Sequence, residues 1–191
     1  MRIVALSGSL RAGSSNTGIL RAFAAGAPAE VEVVLCEGAG ALPPFNPDLD
    51  GEGDSPPPAV KAFRDLLGTA DGFVISSPEY AHGLPGAFKN ALDWIVSSGE
   101  IGGKPIVLIN ASPGGEYARR ALIDTLTVMD AKVLVDASPH TPYSRKILDG
   151  AGKVVDPEVL GKLGASLHAL MTAASASASA SATGCASSDP G

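Results

Sequence analysis

Short apolar segments alternate with segments of helical periodicity along most of the chain. Each apolar segment is followed by residues whose apolar side chains recur every three or four positions, as at Ile19, Leu20 and Phe23. That spacing places them on one face of an α-helix. The pattern therefore predicts five consecutive β-α units. The five apolar segments, rich in Val and Ile, are residues 3–6, 31–35, 73–75, 106–109 and 133–135.

The apolar segments do not alternate apolar and polar residues. Strands of this kind are buried on both faces, as in a parallel sheet with helices above and below it. We therefore predict a doubly wound α/β fold with a five-stranded parallel sheet of flavodoxin-like strand order, 2-1-3-4-5. In such a fold the ligand site lies at the carboxyl ends of strands 1 and 3, where the direction of winding reverses.

Two segments differ in composition from the rest. Residues 37–57 are dense in Pro, Gly and Asp, and loops of that length are usually functional or mobile. Residues 173–191 are largely alternating Ala and Ser, which bury too little apolar surface to offset chain entropy. A strand there is disfavoured because Ala and Ser are poor strand formers. We predict one folded domain over residues 1–172 and a disordered tail over residues 173–191.

Charge and cysteine content exclude several classes of protein. The 14 Lys and Arg residues are outnumbered by 20 Asp and Glu residues, for a net charge of −6, which disfavours binding to nucleic acid or to anionic membranes. The cysteines, Cys36 and Cys185, form no C-x-x-C pair, so no zinc site or disulfide framework is indicated. The apolar run near the N-terminus is far shorter than a signal-peptide core or a membrane span. We expect a cytoplasmic protein.

The loop after the first strand combines glycines, hydroxyl side chains and Arg11 just before a predicted helix. A helix start offers unpaired N–H groups and the positive end of the helix dipole. Gly8 and Gly13 resemble the spacing of a P-loop, but its lysine is missing and Leu10 breaks the dinucleotide-binding pattern. The loop therefore predicts a cradle for a terminal monophosphate. The alternative is that Ser14 or Ser15 only caps the helix and Gly13 only makes a turn.

A second loop follows the third strand and has a rigid, sharply turned backbone because it holds two prolines and two glycines. It reads Pro78-Glu79-Tyr80 and then Pro85-Gly86-x-x-Lys89-Asn90-Ala91-x-Asp93-Trp94. Together with Gly8-Ser9-Leu10-Arg11, Ser15 and Asn16, this sequence resembles the NADPH-dependent FMN reductase family, which includes bacterial chromate and quinone reductases. The resemblance spans residues 1–172.

The resemblance implies a flavodoxin-like domain that binds FMN and oxidises NADPH, or in some members NADH. It places the FMN phosphate on one set of residues and the isoalloxazine ring on another. Most relatives have Asn where this chain has Ala81, so the resemblance implies backbone contacts to the flavin there without the Asn side chain. The phosphate residues are Ser9, Arg11, Ser15, Asn16 and Thr17, and the isoalloxazine residues are Pro78, Glu79, Tyr80, Ala81 and His82.

A third loop, after the fourth strand, includes Ser112 and Gly114. Glycine permits close backbone approach to a flat ligand, and the matching loop of the family contributes to the flavin pocket. An ordinary β-α turn is the alternative. Trp94 is expected either in the core or at the subunit interface of the homodimer or homotetramer that the resemblance implies.

The predicted function is a flavin-dependent NAD(P)H oxidoreductase that passes electrons to a small-molecule acceptor such as a quinone, a metal oxyanion or free flavin. Because FMN carries the hydride chemistry, we expect no catalytic side chain and no metal, and we interpret His82 as a solvated or capping residue. The alternative is a non-enzymatic electron carrier of the flavodoxin type, which Arg11 and the moderate charge disfavour. A phosphoacceptor signalling domain is disfavoured because Ser7 and Ser76 stand where it requires acidic residues.

Overall fold

Five parallel strands form the centre of the computed structural model, which describes residues 1–36, 38–51, 55–111, 114–140 and 153–184. Their order across the sheet is β2-β1-β3-β4-β5, and all four pairings are parallel. The strand order and the parallel sheet confirm the predicted fold. The strands are β1 (Arg2–Ser7), β2 (Glu32–Cys36), β3 (Gly72–Ser76), β4 (Pro105–Leu108) and β5 (Lys132–Val133).

Five helices cover the two faces of the sheet. Successive residues of a strand point to opposite faces, so Val4 packs with one set of helices and Ala5 with the other. The first cluster of buried residues joins the sheet to α2, α3 and α4, and the second joins it to α1 and α5. The helices are α1 (Ser15–Ala25), α2 (Pro58–Gly68), α3 (Gly86–Asp93), α4 (Glu116–Val128) and α5 (Pro157–Gly184).

Trp94, directly after α3, belongs to the core and is fully buried. Its indole Nε1 donates a hydrogen bond of 2.8 Å to the carbonyl of Pro43. The ring of Phe45 meets it edge-on, with 5.0 Å between centroids. Of the two alternatives for Trp94, the structure therefore supports the core.

The long loop before α2 is tied to the body of the protein in its described parts. The side chain of Asn90, on α3, accepts from the N–H of Phe45 at 2.7 Å and donates to the carbonyl of Pro43 at 2.9 Å. Asp50 forms an ion pair of 2.7 Å with Arg64 on α2. Asn90, which the sequence grouped with the second loop, thus holds this long loop in place.

The C-terminal helix is longer than the sequence predicted. The disordered tail was expected to begin at residue 173, but α5 continues to Gly184, and Ala174 is buried. Ala is the strongest helix former, and extending an existing helix avoids the cost of nucleation. The tail prediction is therefore wrong for residues 173–184, and residues 185–191 lie outside the described residues.

Candidate functional site

The loops after β1 and β3 lie against each other. The N–H of Gly8 donates a hydrogen bond of 2.9 Å to the carbonyl of Ser76. A Cβ atom at position 8 would lie 2.2 Å from Oγ of Ser77 and 2.6 Å from its Cβ, so only glycine permits this approach. The two loops that the sequence singled out therefore form one surface at the carboxyl edge of the sheet.

The first loop enters α1 through a side-chain cap. Ser14 has an extended backbone, and its Oγ accepts from the N–H of Thr17 at 3.5 Å. The hydroxyls of Ser7 and Thr17 lie 2.9 Å apart. The capping role weighed for Ser14 is thus present, and it shapes the start of the helix that a phosphate would face.

Beside this helix start lies a cavity of about 340 Å³. Three predicted phosphate residues line it: Ser9, Arg11 and Thr17. Arg21 also lines it and was missed by the sequence analysis. The signal was present, because residue 21 follows Thr17 by four positions and so shares its face of α1. Two guanidinium groups and several hydroxyls suit this cavity to an anion.

Asn16, another predicted phosphate residue, is turned inward. It is only 3% exposed, and Ser76 is fully buried. The hydroxyl of Ser76 lies 2.9 Å from Oδ1 of Asn16 and 2.8 Å from the carbonyl of Ile109. Asn16 therefore joins α1 to the ends of β3 and β4, while a contact from Asn16 or from the half-buried Ser15 to a phosphate stays a prediction.

The loop after β3 ends in a tight turn. Tyr80 and Gly83 exchange two backbone hydrogen bonds of 3.0 Å each. The two residues between them have positive φ angles, +49° at Ala81 and +60° at His82, which is the pattern of a type I′ turn. Neither of their N–H groups has a partner among the described residues. Both residues are exposed, so a ligand could reach these two donors.

Two side chains of the same loop contact the start of α4. Oε2 of Glu79 accepts from the N–H of Ala118 at 2.9 Å, and the ring of His82 stacks on that of Tyr117. A carboxylate at this position is stabilised by the positive end of the helix dipole. The carboxylate of Glu79 also caps α4. Gly115, the residue before the helix, has no side chain that could do so. Neither contact could be predicted from the sequence pattern, because each joins segments far apart in the chain.

The third loop, after β4, is held by Asn110. Its Nδ2 donates to the carbonyl of Gly114 at 2.9 Å and lies 3.3 Å from Nδ1 of His140. That ring nitrogen is 3.4 Å from Oε1 of Glu116. Gly114 is exposed at the same edge of the sheet, and its contact to a flavin stays a prediction. Ser112, the other predicted residue here, lies outside the described residues.

The amino-acid sequence matches the family model described as NADPH-dependent FMN reductase over residues 1–143. This match covers well over half of the chain. The protein belongs to the NADPH-dependent FMN reductase family. It is therefore a flavin-dependent NAD(P)H oxidoreductase that uses FMN, as the sequence analysis predicted, and the hypothesis of a non-enzymatic electron carrier is not supported.

Named relatives agree with this family. The chain is 34% identical over 138 residues to a quinone reductase of Escherichia coli K12, covering 70% of this chain and 73% of the relative. It is 34% identical over 135 residues to an NAD(P)H-dependent FMN reductase of Pseudomonas aeruginosa, covering 68% and 71%. A rice protein described as a probable NADPH:quinone oxidoreductase is 42% identical over 122 residues, covering 60% and 59%.

Solved structures agree on the fold of this FMN reductase. The flavoenzyme NAD(P)H:(acceptor) oxidoreductase FerB of Paracoccus denitrificans superposes with a TM-score of 0.80 at 24% identity, covering 91% of this chain and 97% of FerB. An NADH:FMN oxidoreductase in its apo form superposes with a TM-score of 0.63 at 20% identity, covering 88% and 87%. These likenesses show the flavodoxin-like architecture.

The described residues of the reductase offer the types of chemical group that FMN requires. A phosphate monoester requires hydrogen-bond donors and positive charge, which the cavity at Arg11 and Arg21 provides. A planar ring with polar edges requires outward backbone donors, which Ala81 and His82 provide. Within the described ranges, no group of three His, Cys, Asp or Glu side chains could hold a metal ion, and no helix has the length and apolarity of a membrane span.

Proposed function

We propose that this reductase binds FMN across the loops after β1, β3 and β4, reduces it with NADPH or NADH, and passes the electrons to a quinone. One observation carries the proposal. The anion cavity at Arg11 and the exposed turn at Ala81 and His82 belong to two loops that the hydrogen bond from Gly8 to Ser76 joins. A ligand with a phosphate at one end and a flat ring at the other could occupy both.

The phosphate end of FMN is assigned to the cavity. Arg11 would supply a charged donor, Ser9 and Thr17 would supply hydroxyls, and the capped start of α1 would supply its dipole. Arg21 adds a second positive charge to the same lining. Because the chain as a whole is acidic, this local concentration of positive charge is what would attract a dianion.

The ring end of FMN is assigned to residues 78–82 and to Gly114. The N–H groups of Ala81 and His82 would donate to acceptor atoms at the ring edge and so stabilise negative charge on the reduced ring. When bound, FMN supplies the hydride and electron chemistry itself. The protein's part is to hold and orient the ring, which agrees with our expectation that no side chain serves as an acid or base.

The electron acceptor, the oligomeric state and the cellular location are inferred from the relatives and from the sequence. Relatives described as quinone reductases favour a quinone, and a metal oxyanion or free flavin are the other acceptors that the sequence suggests. Transfer of two electrons and two protons would convert the quinone to a hydroquinone. We further infer a homodimer or homotetramer, because the family resemblance implies a site completed at a subunit interface. A cytoplasmic location is inferred from the sequence, whose apolar run near the N-terminus is far shorter than a signal-peptide core.

Anaerobic double-mixing stopped-flow tests this function. FMN-loaded protein is mixed first with NADPH or NADH and then with a naphthoquinone, while the visible absorbance of the flavin is recorded. The proposal predicts rapid bleaching in the first step and recovery in the second, both faster than for free FMN at the same concentration. Flavin that remains oxidised after the first mixing would instead indicate an electron carrier. Bleaching without recovery would exclude quinone as the acceptor.

A further inference from the structure

His82 and Tyr117 form an exposed aromatic pair at the carboxyl edge of the sheet. We propose that this pair is the surface on which planar quinones bind, and that it selects them over metal oxyanions. The inference rests on the proposed function, since it assumes a flavin held by the same turn. It adds a side-chain basis for the choice of acceptor that the sequence did not provide.

The two rings are stacked but remain open to solvent. Their centroids lie 4.1 Å apart, and their planes differ by 17°. Tyr117 is 58% exposed, although large aromatic side chains are mostly buried. His82 is exposed as well. The contact therefore contributes little to the hydrophobic core, and the outer faces and edges of the rings are accessible to a ligand.

Backbone geometry fixes where the pair lies. His82 stands at φ +60° inside the tight turn that two hydrogen bonds between Tyr80 and Gly83 close, so the turn fixes the position of its backbone. Tyr117 precedes Ala118, whose N–H is bound by Glu79 at 2.9 Å. Glu79 thus anchors the start of α4 to the turn. A surface positioned in advance costs little ordering entropy when a ligand binds.

The location connects the pair to the proposed flavin. His82 carries one of the two outward N–H groups assigned to the ring of FMN. Its side chain and its backbone N–H belong to the same residue, so a flat ligand against the imidazole would lie close to the flavin. Tyr80, in the same turn, is 56% exposed and adds a third aromatic side chain at this edge.

Shape and electronics favour a quinone at this surface. A quinone is flat and electron-poor, and it can stack on the electron-rich phenol of Tyr117 in the offset geometry that aromatic pairs prefer. A chromate ion is tetrahedral, doubly charged and strongly hydrated, and it gains nothing from an aromatic face. The pair should therefore increase affinity for the quinone alone.

A purely structural role predicts a different result. If the stack only holds the turn against α4, its removal would disturb the flavin and would lower activity with every acceptor alike. The informative quantity is thus the ratio of kcat/KM for a quinone to kcat/KM for chromate, because a general loss of flavin or folding cancels from it.

The test uses FMN-loaded protein with the variants Tyr117→Leu, His82→Asn and their combination. Leu keeps apolar bulk without a ring, and Asn tolerates the positive φ at position 82. Tyr117→Phe should retain the ring and the ratio, and Val128→Ala, at an exposed site on α4, is the matched surface control. Equilibrium dialysis of a naphthoquinone against the FMN-loaded protein, without NADPH, gives a second readout that needs no turnover.

We expect Tyr117→Leu to lower the quinone-to-chromate ratio about two- to tenfold, through the KM for the quinone, and to weaken quinone binding in dialysis equally. The double variant should lose less than the product of the single losses, because the rings act as one surface. An unchanged ratio together with unchanged dialysis would overturn the proposal. Wild-type flavin that NADPH fails to reduce would contradict the proposed function instead, and dialysis would still decide the role of the pair.

Discussion

The hydroxyl of Ser76, the last residue of β3, lies 2.9 Å from the side-chain oxygen of Asn16 in the first turn of α1. Both side chains are buried. This contact fixes the start of α1 against the end of β3, and it therefore fixes the two loops of the proposed site relative to each other. The carbonyl of Ile109, just beyond β4, lies 2.8 Å from the same hydroxyl, so three segments converge on one oxygen atom.

Replacing Asn16 by Ala should reduce the stability of the apoprotein. The change removes the hydrogen bond between Asn16 and Ser76 and leaves the Ser76 hydroxyl with the carbonyl of Ile109 as its acceptor. Loss of a buried hydrogen bond costs roughly 0.5–1.5 kcal/mol in the free energy of unfolding. Urea denaturation checks this value. Asp124→Ala, at an exposed position of α4, is the control and should cost less. An equal loss of unfolding free energy in the two variants would show that the hydrogen bond between Asn16 and Ser76 does not stabilise the protein.

The ion pair between Asp50 and Arg64 should make stability depend on acid pH. Burial alone raises the pKa of Asp50, but hydrogen bonds from Ser97 and Arg64 and the charge of Arg64 outweigh it, so the pKa is lowered overall. A lowered pKa in the folded state stabilises the protein above the unfolded value of about 4, and this contribution is lost as pH falls through the folded pKa.

Asp50→Asn should therefore lower the free energy of unfolding at neutral pH by roughly 1.5–3 kcal/mol and should weaken its decline below about pH 4. The side chain of Asp50 is only 8% exposed. Asp65→Asn, in an exposed pair with Lys61, makes the same charge change and should have little effect. Urea unfolding over a series of pH values measures both, and parallel pH profiles for wild type and Asp50→Asn would refute the assignment.

Ala81 is strained in its turn, and Asn should relieve the strain. A residue with a Cβ atom and no local hydrogen bond is disfavoured at φ +49°, whereas Asn occupies this region readily. Ala81→Asn should raise the free energy of unfolding by up to about 1 kcal/mol. The same substitution at Ala87, inside α3, should lower it by several tenths of a kcal/mol. Thermal unfolding that shows the same sign for both would contradict this explanation.

The end of α5 is packed at Ala174, so a charge there should destabilise the protein. Ala174→Asp introduces a carboxylate at a position that is 3% exposed, and burying an unpaired charge is costly. Ala176→Asp, two residues along the same helix and exposed, is the matched control. We expect a fall in Tm of several degrees for the first variant and little change for the second. Equal Tm values would restore the prediction of an unpacked tail.

Local patterns were sufficient to predict the sheet and to predict which loops meet at its carboxyl edge. Buried parallel strands have a recognisable composition, and the strand order determines which two loops meet. That is why the loops at Gly8 and Pro78 could be paired before their contact was seen. Ser9, Arg11 and Thr17 line the cavity beside the start of α1, and their contacts to a phosphate stay a prediction.

Other features depend on contacts that the sequence pattern does not encode. Glu79 reaches the backbone of Ala118 across 39 positions of the chain, and no periodicity marks such a pair. The prediction for residues 173–184 rested on the small apolar surface that Ala and Ser can bury. It did not take into account that Ala propagates a helix that has already begun. Arg21 lies inside α1, beyond the loop whose glycines, hydroxyls and Arg11 form the phosphate-binding pattern, so that pattern does not include it.

The placement of FMN is tested most directly by its dissociation constant in wild type and in Arg11→Ala, measured by fluorescence titration. Arg11 should contribute one charge-assisted hydrogen bond to the phosphate, worth roughly 1.5–3 kcal/mol, so the variant should bind FMN about tenfold to somewhat over a hundredfold more weakly. Riboflavin, which lacks the phosphate, should bind both proteins equally, and Lys61→Ala on the exposed face of α2 should leave FMN binding unchanged. An FMN dissociation constant that is the same in Arg11→Ala and wild type would contradict the assigned site.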